Sequence, residues 1–249
     1  MISANHRHIG CSGYYYSNWK NKFYPEGLPS AKWLEYYSSV FNALEINSTF
    51  YRQPQLSSLK RYANVVPDEF VFAVKMSRYL THIKRLTQCA EEVQKFQDHI
   101  YEGLQDKLRA FLFQLPPSFK YSAENLEHVL ANVPSGPQNV VEFRHQSWWN
   151  HDVREALERQ NITFCNVDYP GLIVNFQMST DVFYFRLHGN PELFKSRYAC
   201  SELERFERNM PDKAAEQFIF FNNTYYDAGY TNAREMKDIL RHAKPKLHA

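Results

Sequence analysis

The chain alternates short apolar runs typical of β-strands with amphipathic stretches typical of helices along nearly all its length. Eight runs are predicted as strands, at 8–12, 42–46, 70–76, 110–115, 139–144, 162–167, 182–188 and 216–222. Seven stretches with apolar residues recurring at three and four positions are predicted as helices, at 30–40, 56–65, 87–107, 122–132, 152–160, 200–209 and 231–243. Repeated strand and helix units predict a parallel sheet, and eight strands can close into a (β/α)8 barrel of the TIM type.

The length of the chain agrees with that architecture, since its 249 residues suit one α/β barrel, and we predict a single domain over 1–249. An open doubly wound sheet is the alternative, but no glycine-rich phosphate loop follows the first predicted strand. We expect the sixth unit to be irregular, because Asp168-Tyr169-Pro170-Gly171 leads into a loop instead of a helix.

The charge balance gives no sign of a polyanionic partner. Lys and Arg together number 29 against 27 for Asp and Glu, a net charge of +2, so a nucleic acid would have to be held by a local patch. No apolar stretch approaches the roughly 20 residues that cross a bilayer, and we expect no membrane partner.

The compartment is predicted from the start of the sequence and from its cysteines. Residues 1–6 lack the apolar core of a signal peptide, which favours a cytoplasmic protein. Cys11, Cys89, Cys165 and Cys200 show no paired spacing, so we expect four buried free thiols of a reducing compartment.

The predicted strands end in polar residues, and strand alternation selects those that face the barrel interior. Alternate residues of each strand point to the same face of the sheet. If the face that carries the polar side chains points into the barrel, the layer at the carboxyl ends of the strands holds Glu45, Lys75, Gln114, Glu142, Arg144, Arg186 and His188, together with Asp168 and Asn222. Binding sites of such barrels lie at the carboxyl ends of the strands, so this layer is the candidate site. The alternative is an ionic layer whose charges satisfy one another and close the barrel.

The residue types of this layer suggest acid/base chemistry on an anionic ligand. Glu45 and Glu142 are candidate general acid and base, and His188 is the alternative proton carrier. Arg144, Arg186 and Lys75 form a candidate anion clamp, because guanidinium groups hold phosphate or carboxylate through paired hydrogen bonds. Further candidate contacts to the ligand are Asn47, Tyr51, Gln114, His145, Trp148, Asp168, Asn222 and Asn223.

Two other chemistries stay open at this point. Glycoside cleavage by a carboxylate pair fits such a barrel in principle. A divalent metal is not favoured, because no close pair of histidine or acidic ligands occurs and neighbouring cations raise the cost of binding more positive charge. We therefore predict no cofactor.

Specific sequence blocks follow one another along the chain. They are IGCSG at 9–13, LEINSTFY at 44–51, FAVK at 72–75, THIKRL at 81–86, FQLPP at 113–117, VEFRH at 141–145, DYP at 168–170, YFRLHG at 184–189 and FNN at 221–223. In this order they resemble the blocks of the YecE-like family, which is catalogued as a domain of unknown function.

The resemblance implies a TIM-type barrel related in shape to those of endonuclease IV and xylose isomerase, and it implies no established reaction. The endonuclease-like barrels bind three zinc ions through many histidine and acidic ligands, a set that this sequence does not reproduce. The chain departs from the family pattern at Tyr14 and around 198–200, positions expected at the pocket rim and after the seventh strand.

Three classes of function follow from these residues. The first is an acid/base enzyme or binder that acts on a small phosphate-bearing or carbohydrate-like ligand. The second is a nucleic-acid-binding protein that uses the same mouth, with Lys84 and Arg85 on its rim and aromatic side chains for stacking. The third is a barrel that docks a protein partner or serves a structural role. The substrate and the oligomeric state are not set by these residues.

Overall fold

A computed structural model describes residues 6–243, and in it eight parallel strands form a nearly closed barrel. The sheet order is β1-β8-β7-β6-β5-β4-β3-β2, so each strand from β2 to β7 pairs with the next strand in the sequence, and β8 pairs with β1. The TIM-type prediction is confirmed. The strands are β1 His6–Cys11, β2 Ala43–Ile46, β3 Val71–Lys75, β4 Leu108–Gln114, β5 Asn139–Glu142, β6 Thr163–Asp168, β7 Val182–Leu187 and β8 Glu216–Phe221.

Helices connect the strands on the outside of the barrel. They are α1 Trp33–Val40, α2 Leu56–Val65, α3 Ala90–Leu104, α4 Ala123–Asn132, α5 His151–Arg159, α6 Cys200–Asn209 and α7 Ala228–His242. The chain between β6 and β7, over 169–181, contains no helix, which agrees with the irregular sixth unit expected from the sequence.

Alternation along the strands separates two apolar layers. One set of residues fills the lower barrel and includes Ala73, Leu112, Val140, Tyr184 and Phe220. The opposite parity packs under the helices. Above the inner apolar layer, the same inward parity continues into polar residues, so the charged layer lies at the carboxyl ends of the strands.

The seam between β1 and β2 is closed mainly by side chains. These two strands share one isolated parallel bridge, between Ser12 and Glu45. The buried Tyr37 hydroxyl accepts a hydrogen bond from the Cys11 backbone N–H at 2.6 Å and donates one to the Ala43 carbonyl at 3.1 Å. A Cβ on Gly10 would lie 1.9 Å from the Ala43 carbonyl oxygen, so the close approach requires glycine.

Some sequence predictions need correction or fall outside the described chain. Cys11, Cys89 and Cys165 are buried free thiols, but the prediction was wrong for Cys200, which is exposed as the first residue of α6. The predictions for the chain start and for one domain over 1–249 involve residues 1–5 and 244–249, which lie outside the described residues. Within 6–243, no helix is long and apolar enough to cross a membrane.

The substitution Tyr37→Phe tests how much the Tyr37 hydroxyl stabilises the junction between β1 and β2. The change leaves the buried Cys11 N–H and Ala43 carbonyl without their partner, so we expect the free energy of unfolding to fall by about 1–3 kcal/mol. Urea denaturation followed by circular dichroism measures the loss. Tyr36→Phe is the matched control, because the half-buried Tyr36 hydroxyl makes no hydrogen bond to any described residue. Equal stability of Tyr37→Phe and the control would contradict this role.

Candidate functional site

Glu45, at the inward-facing end of β2, is the most highly coordinated carboxylate of the barrel mouth. Its Oε1 accepts hydrogen bonds from Ser12 Oγ and from Arg186 Nη2, both at 2.6 Å. Its Oε2 accepts from the Tyr184 hydroxyl at 2.7 Å and from Arg186 Nε at 2.9 Å. All four of these side chains are fully buried. Glu45 therefore joins β1, β2 and β7 through one carboxylate.

Arg186 also reaches a second carboxylate. Its Nη1 donates to Glu142 Oε2, and Glu142 Oε1 accepts from Arg144 Nε at 2.6 Å. Two carboxylates and two guanidinium groups thus form one chain of ion pairs across the barrel. Burying these charges is tolerable because each is paired and hydrogen-bonded.

His188 completes this buried network in its neutral form. Its Nε2 lies 3.3 Å from Glu142 Oε1, while its Nδ1 lies 2.9 Å from Asn222 Nδ2, which donates to it. Arg186 Nη1 is 3.4 Å from the same Nε2. Burial and the guanidinium charges lower the pKa of His188 from 6.5 to about 3, against the opposing effect of Glu142.

Both carboxylates of the network are held ionised. Burial alone would raise the pKa of Glu45, but the charge and hydrogen bonds of Arg186 hold it below the ordinary value. Burial opposes the ionised form of Glu142 as well, yet Arg186, Arg144 and His188 hold its pKa well below the usual range. A carboxylate held in this state carries no proton at neutral pH.

Lys75 ends β3 beside this network without a carboxylate partner. Its Nζ lies 4.1 Å from the centre of the Phe50 ring, and no described residue forms a hydrogen bond with it. Burial, together with the positive charges of Arg186 and Arg144, lowers the pKa of Lys75 from 10.5 to about 7. Glu142 and Glu45 oppose the shift, but their charges are already neutralised by the two guanidinium groups.

A cavity of about 960 Å³ opens above the network at the carboxyl ends of the strands. Among residues 6–243, its wall contains three basic side chains and no carboxylate. The basic residues are Lys75, Arg78 and Arg144; the aromatic residues are Tyr16, Phe50, Tyr51, Phe194, Tyr225 and Tyr226; the neutral polar residues are Asn18, Asn47, His82, Gln114, Asn222 and Thr224.

The structure separates the predicted site residues into three groups. Lys75, Arg144, Asn47, Tyr51, Gln114 and Asn222 line the cavity. Glu45, Glu142, Arg186 and His188 lie buried beneath it in the ionic network, so their assignment to catalysis or ligand binding stays a prediction. His145, Trp148, Asp168 and Asn223 do not line the cavity.

Local contacts account for two residues of that third group. Trp148 is fully buried, stacks on Phe143 with ring centres 4.1 Å apart and donates from Nε1 to the Phe119 carbonyl. Asp168 accepts a hydrogen bond from the Tyr198 hydroxyl at 2.6 Å.

The remaining two residues of that group, His145 and Asn223, form hydrogen bonds within loops. His145 Nδ1 accepts from the Ser147 N–H at the start of a short 3-10 helix, and Asn223 donates to the Ser196 carbonyl. These contacts support packing and capping, and ligand contact by the four residues of this group stays a prediction that the geometry does not support.

Several cavity residues, Arg78 among them, were missed because they lie in loops. Arg78 directly precedes a π-helical turn, Tyr79–Ile83, that follows β3, and such turns are frequent at functional sites. His82, within this turn, also lines the cavity. Tyr225 and Tyr226 follow β8. Ser12, one residue past β1, was also missed, although the strand-parity argument could have included it. Lys84, predicted on the rim, is paired with Glu92.

Among residues 6–243, no three His, Cys, Asp or Glu side chains are grouped so that they could hold a metal ion. Glu142 and His188 are in contact, but the cationic groups Arg144 and Arg186 occupy the remaining space around that carboxylate.

Comparison with known proteins agrees with the fold and with the sequence blocks. The family model described as "Protein of unknown function DUF72" matches residues 8–249. The chain belongs to the DUF72 family. A solved DUF72 structure from Thermotoga maritima superposes with a TM-score of 0.87 at 30% identity, over 96% of this chain and 100% of that one.

Curated relatives of this chain include YecE, the protein that gives its name to the family anticipated by the resemblance. UPF0759 protein YunF of Bacillus subtilis is 24% identical over 88% of this chain and 90% of its own length. UPF0759 protein YecE of Escherichia coli K12 is 28% identical over 47% of this chain and 43% of its own length. The YecE-like resemblance is therefore confirmed.

The buried neutral His188 predicts a pH-dependent loss of stability. Because the folded state lowers the pKa of His188 from 6.5 to about 3, the unfolded chain binds its proton first. Stability from this residue is therefore complete above pH 6.5 and is lost as the pH falls. One proton contributes about 1.4 kcal/mol per pH unit, so we expect the free energy of unfolding to fall by about 3 kcal/mol between its plateau above pH 6.5 and pH 4.5, where the carboxylates begin to titrate.

Urea titrations at several pH values compare the wild type with His188→Gln. The variant should show a shallower decline of unfolding free energy across this range, whatever its stability at neutral pH. The half-buried His82, whose pKa is lowered to about 4, accounts for a remaining slope in the variant. Identical slopes for wild type and variant would show that His188 is not held neutral.

Proposed function

We propose that the mouth cavity binds a small ligand that carries a phosphate or a similar anionic group. The observation that carries this proposal is the wall of the cavity, where the described residues include two permanently charged guanidinium groups, Arg78 and Arg144, together with the amine of Lys75, but no acidic side chain. A concave, partly apolar site with a few convergent polar groups is the usual form of a small-molecule site.

Arg144 is the principal anion-binding group in this proposal. Its bond to Glu142 uses Nε, and its Nη1 and Nη2 form no hydrogen bond with any described residue. The ion pair fixes the orientation of the guanidinium, whose Cζ also lies 5.0 Å from the Tyr169 ring centre. Two free parallel N–H groups on an oriented guanidinium suit the oxygens of a phosphate.

The remaining wall suits a ligand with a flat or polyhydroxylated body. Six aromatic side chains line the cavity and provide stacking surfaces for a ring. Asn47 Oδ1 is buried and has no hydrogen-bond partner among the described residues, so it can accept a hydrogen bond from a ligand N–H or O–H.

We assign Glu45 and Glu142 to positioning instead of proton transfer. Both are buried beneath the cavity, and their guanidinium partners keep them ionised. A glycosidase needs one protonated carboxyl group and a second carboxylate beside the scissile bond, and this pair supplies neither. The phosphate-bearing ligand is therefore favoured over glycoside cleavage.

Titration with inorganic phosphate, followed by isothermal calorimetry, tests the anion site. We expect saturable binding in the wild type and an affinity at least about ten-fold lower in Arg144→Met, which loses two charge-assisted hydrogen bonds. Arg78→Met, a change at an exposed rim residue, should weaken binding less and keep the ionic network intact.

Arg109→Met is the matched control, because Arg109 is exposed at the opposite end of β4 and should leave phosphate affinity unchanged. Absence of saturable phosphate binding in the wild type, or equal affinity in the Arg144 and Arg109 variants, would overturn the proposal.

Nucleic-acid binding is a second candidate because of the rim of the cavity. Tyr51, Tyr225 and Tyr226 are 82%, 57% and 55% exposed, and Arg78 lines the same cavity. Exposed aromatic rings next to cations suit the stacking of single-stranded bases.

Fluorescence anisotropy with a single-stranded oligothymidine tests this candidate. Affinity should fall steeply with added salt, and Tyr225→Ala should weaken binding by about 1–3 kcal/mol if a base stacks there. Tyr101→Ala is the control, since Tyr101 is 57% exposed on α3 and lies away from the cavity. Salt-insensitive binding, or equal effects of the two variants, would exclude this use of the rim.

A further inference from the structure

The amine of Lys75 can be reached from the open cavity but has no polar partner among the described residues. Lys75 is the last residue of β3, and only 8% of it is exposed, yet it belongs to the wall of the open cavity. Its Nζ faces the Phe50 ring at 4.1 Å and makes no hydrogen bond with the described residues. A ligand in the cavity can thus reach an amine that no protein group occupies.

Charged side chains from β2, β5 and β7, or from the residues just after them, surround Lys75. Arg186 and Arg144 disfavour its protonated form, whereas Glu142 and Glu45 favour it. His82, on the loop after β3, has a lowered pKa of about 4 and is therefore uncharged near neutral pH. Because each carboxylate is already paired with a guanidinium, burial and the two cations dominate.

We propose that the Lys75 amine forms a Schiff base with a carbonyl compound that also carries an anionic group. The anionic part of this ligand class rests on the proposed function, in which Arg144 holds the phosphate or carboxylate. The amine part rests on the isolation of Lys75 itself. Desolvation next to other cations is a known way in which a protein keeps a lysine nucleophilic.

The step is balanced without an additional reactant. The Nζ lone pair adds to the carbonyl carbon, the carbonyl π electrons pass to oxygen, and one proton moves from nitrogen to that oxygen to give a carbinolamine. The carbinolamine then loses its hydroxyl group with the second amine proton as water, which leaves a C=N bond. Amine and carbonyl compound are thus converted into imine and water, and the open cavity can release the water.

Reductive trapping with cyanoborohydride tests the proposal on the full-length wild-type protein. The probes are propanal, which is neutral, and glycolaldehyde phosphate, which carries the anionic group; peptide mass spectrometry locates the modified lysines. At pH 7 we expect Lys75 to react at least about ten-fold faster than exposed lysines, whose amines ordinarily titrate near 10.4. Since the unprotonated amine reacts, its rate should rise with a midpoint near pH 7.

The two probes separate the amine from the anion site. Preferential modification of Lys75 by both aldehydes, faster with glycolaldehyde phosphate and slowed by inorganic phosphate, supports both proposals. Equal preferential modification by the two aldehydes, without phosphate protection, supports the Schiff base and overturns the anion site. Modification of Lys75 no faster than that of exposed lysines, with either probe, overturns the Schiff-base proposal. Lys75→Arg, which keeps a cation but has no reactive amine, is the control for the assignment of the modified peptide.

Discussion

The pairing of Arg186 with two buried carboxylates is the interaction on which the rest of the barrel mouth depends. Glu45 receives two of its hydrogen bonds and Glu142 a third, so one side chain on β7 ties together β2 and β5 across the barrel. Removing one partner of such a buried pair costs about 3–5 kcal/mol, because the remaining charge is left uncompensated. The network also reaches the weak seam of the sheet, since Ser12 on the β1 side donates to Glu45.

Charge balance within this network explains the character of the cavity above it. Two guanidinium groups neutralise two carboxylates, so Lys75 has no counter-charge and its pKa falls to about 7. Arg144 bridges the two levels, because its Nε belongs to the buried network while its side chain lines the cavity. The ionic layer and the proposed ligand site, between which the sequence alone did not decide, are therefore two levels of one arrangement. The lower level positions Arg144 in the upper one.

Strand periodicity was enough to predict the barrel and the inward residues of its top layer, because side-chain direction in a strand follows a strict alternation. Glu45, Glu142 and Arg186 meet for that reason. Strand alternation does not determine which polar side chains contact one another and which line the open cavity. Trp148 follows a strand end as a ligand-stacking residue would, yet it packs between Phe143 and Phe119. Loop residues such as Arg78 have no periodicity, and the Tyr37 contacts across the seam depend on a helix packing that no local pattern specifies.

The central claim is that the guanidinium groups of Arg144 and Arg186 neutralise both buried carboxylates, so that Lys75 has no counter-charge. The pKa of Lys75 tests this claim most directly, because a carboxylate that also stabilised the protonated amine would raise that pKa. Nuclear magnetic resonance of protein labelled at lysine side chains, assigned by comparison with Lys75→Arg, follows the Lys75 signal against pH in the folded protein. The account predicts a midpoint near pH 7, well below the ordinary 10.5. A midpoint in the ordinary range of exposed lysines would contradict it, since the carboxylates would then be compensating Lys75 and not only the two arginines.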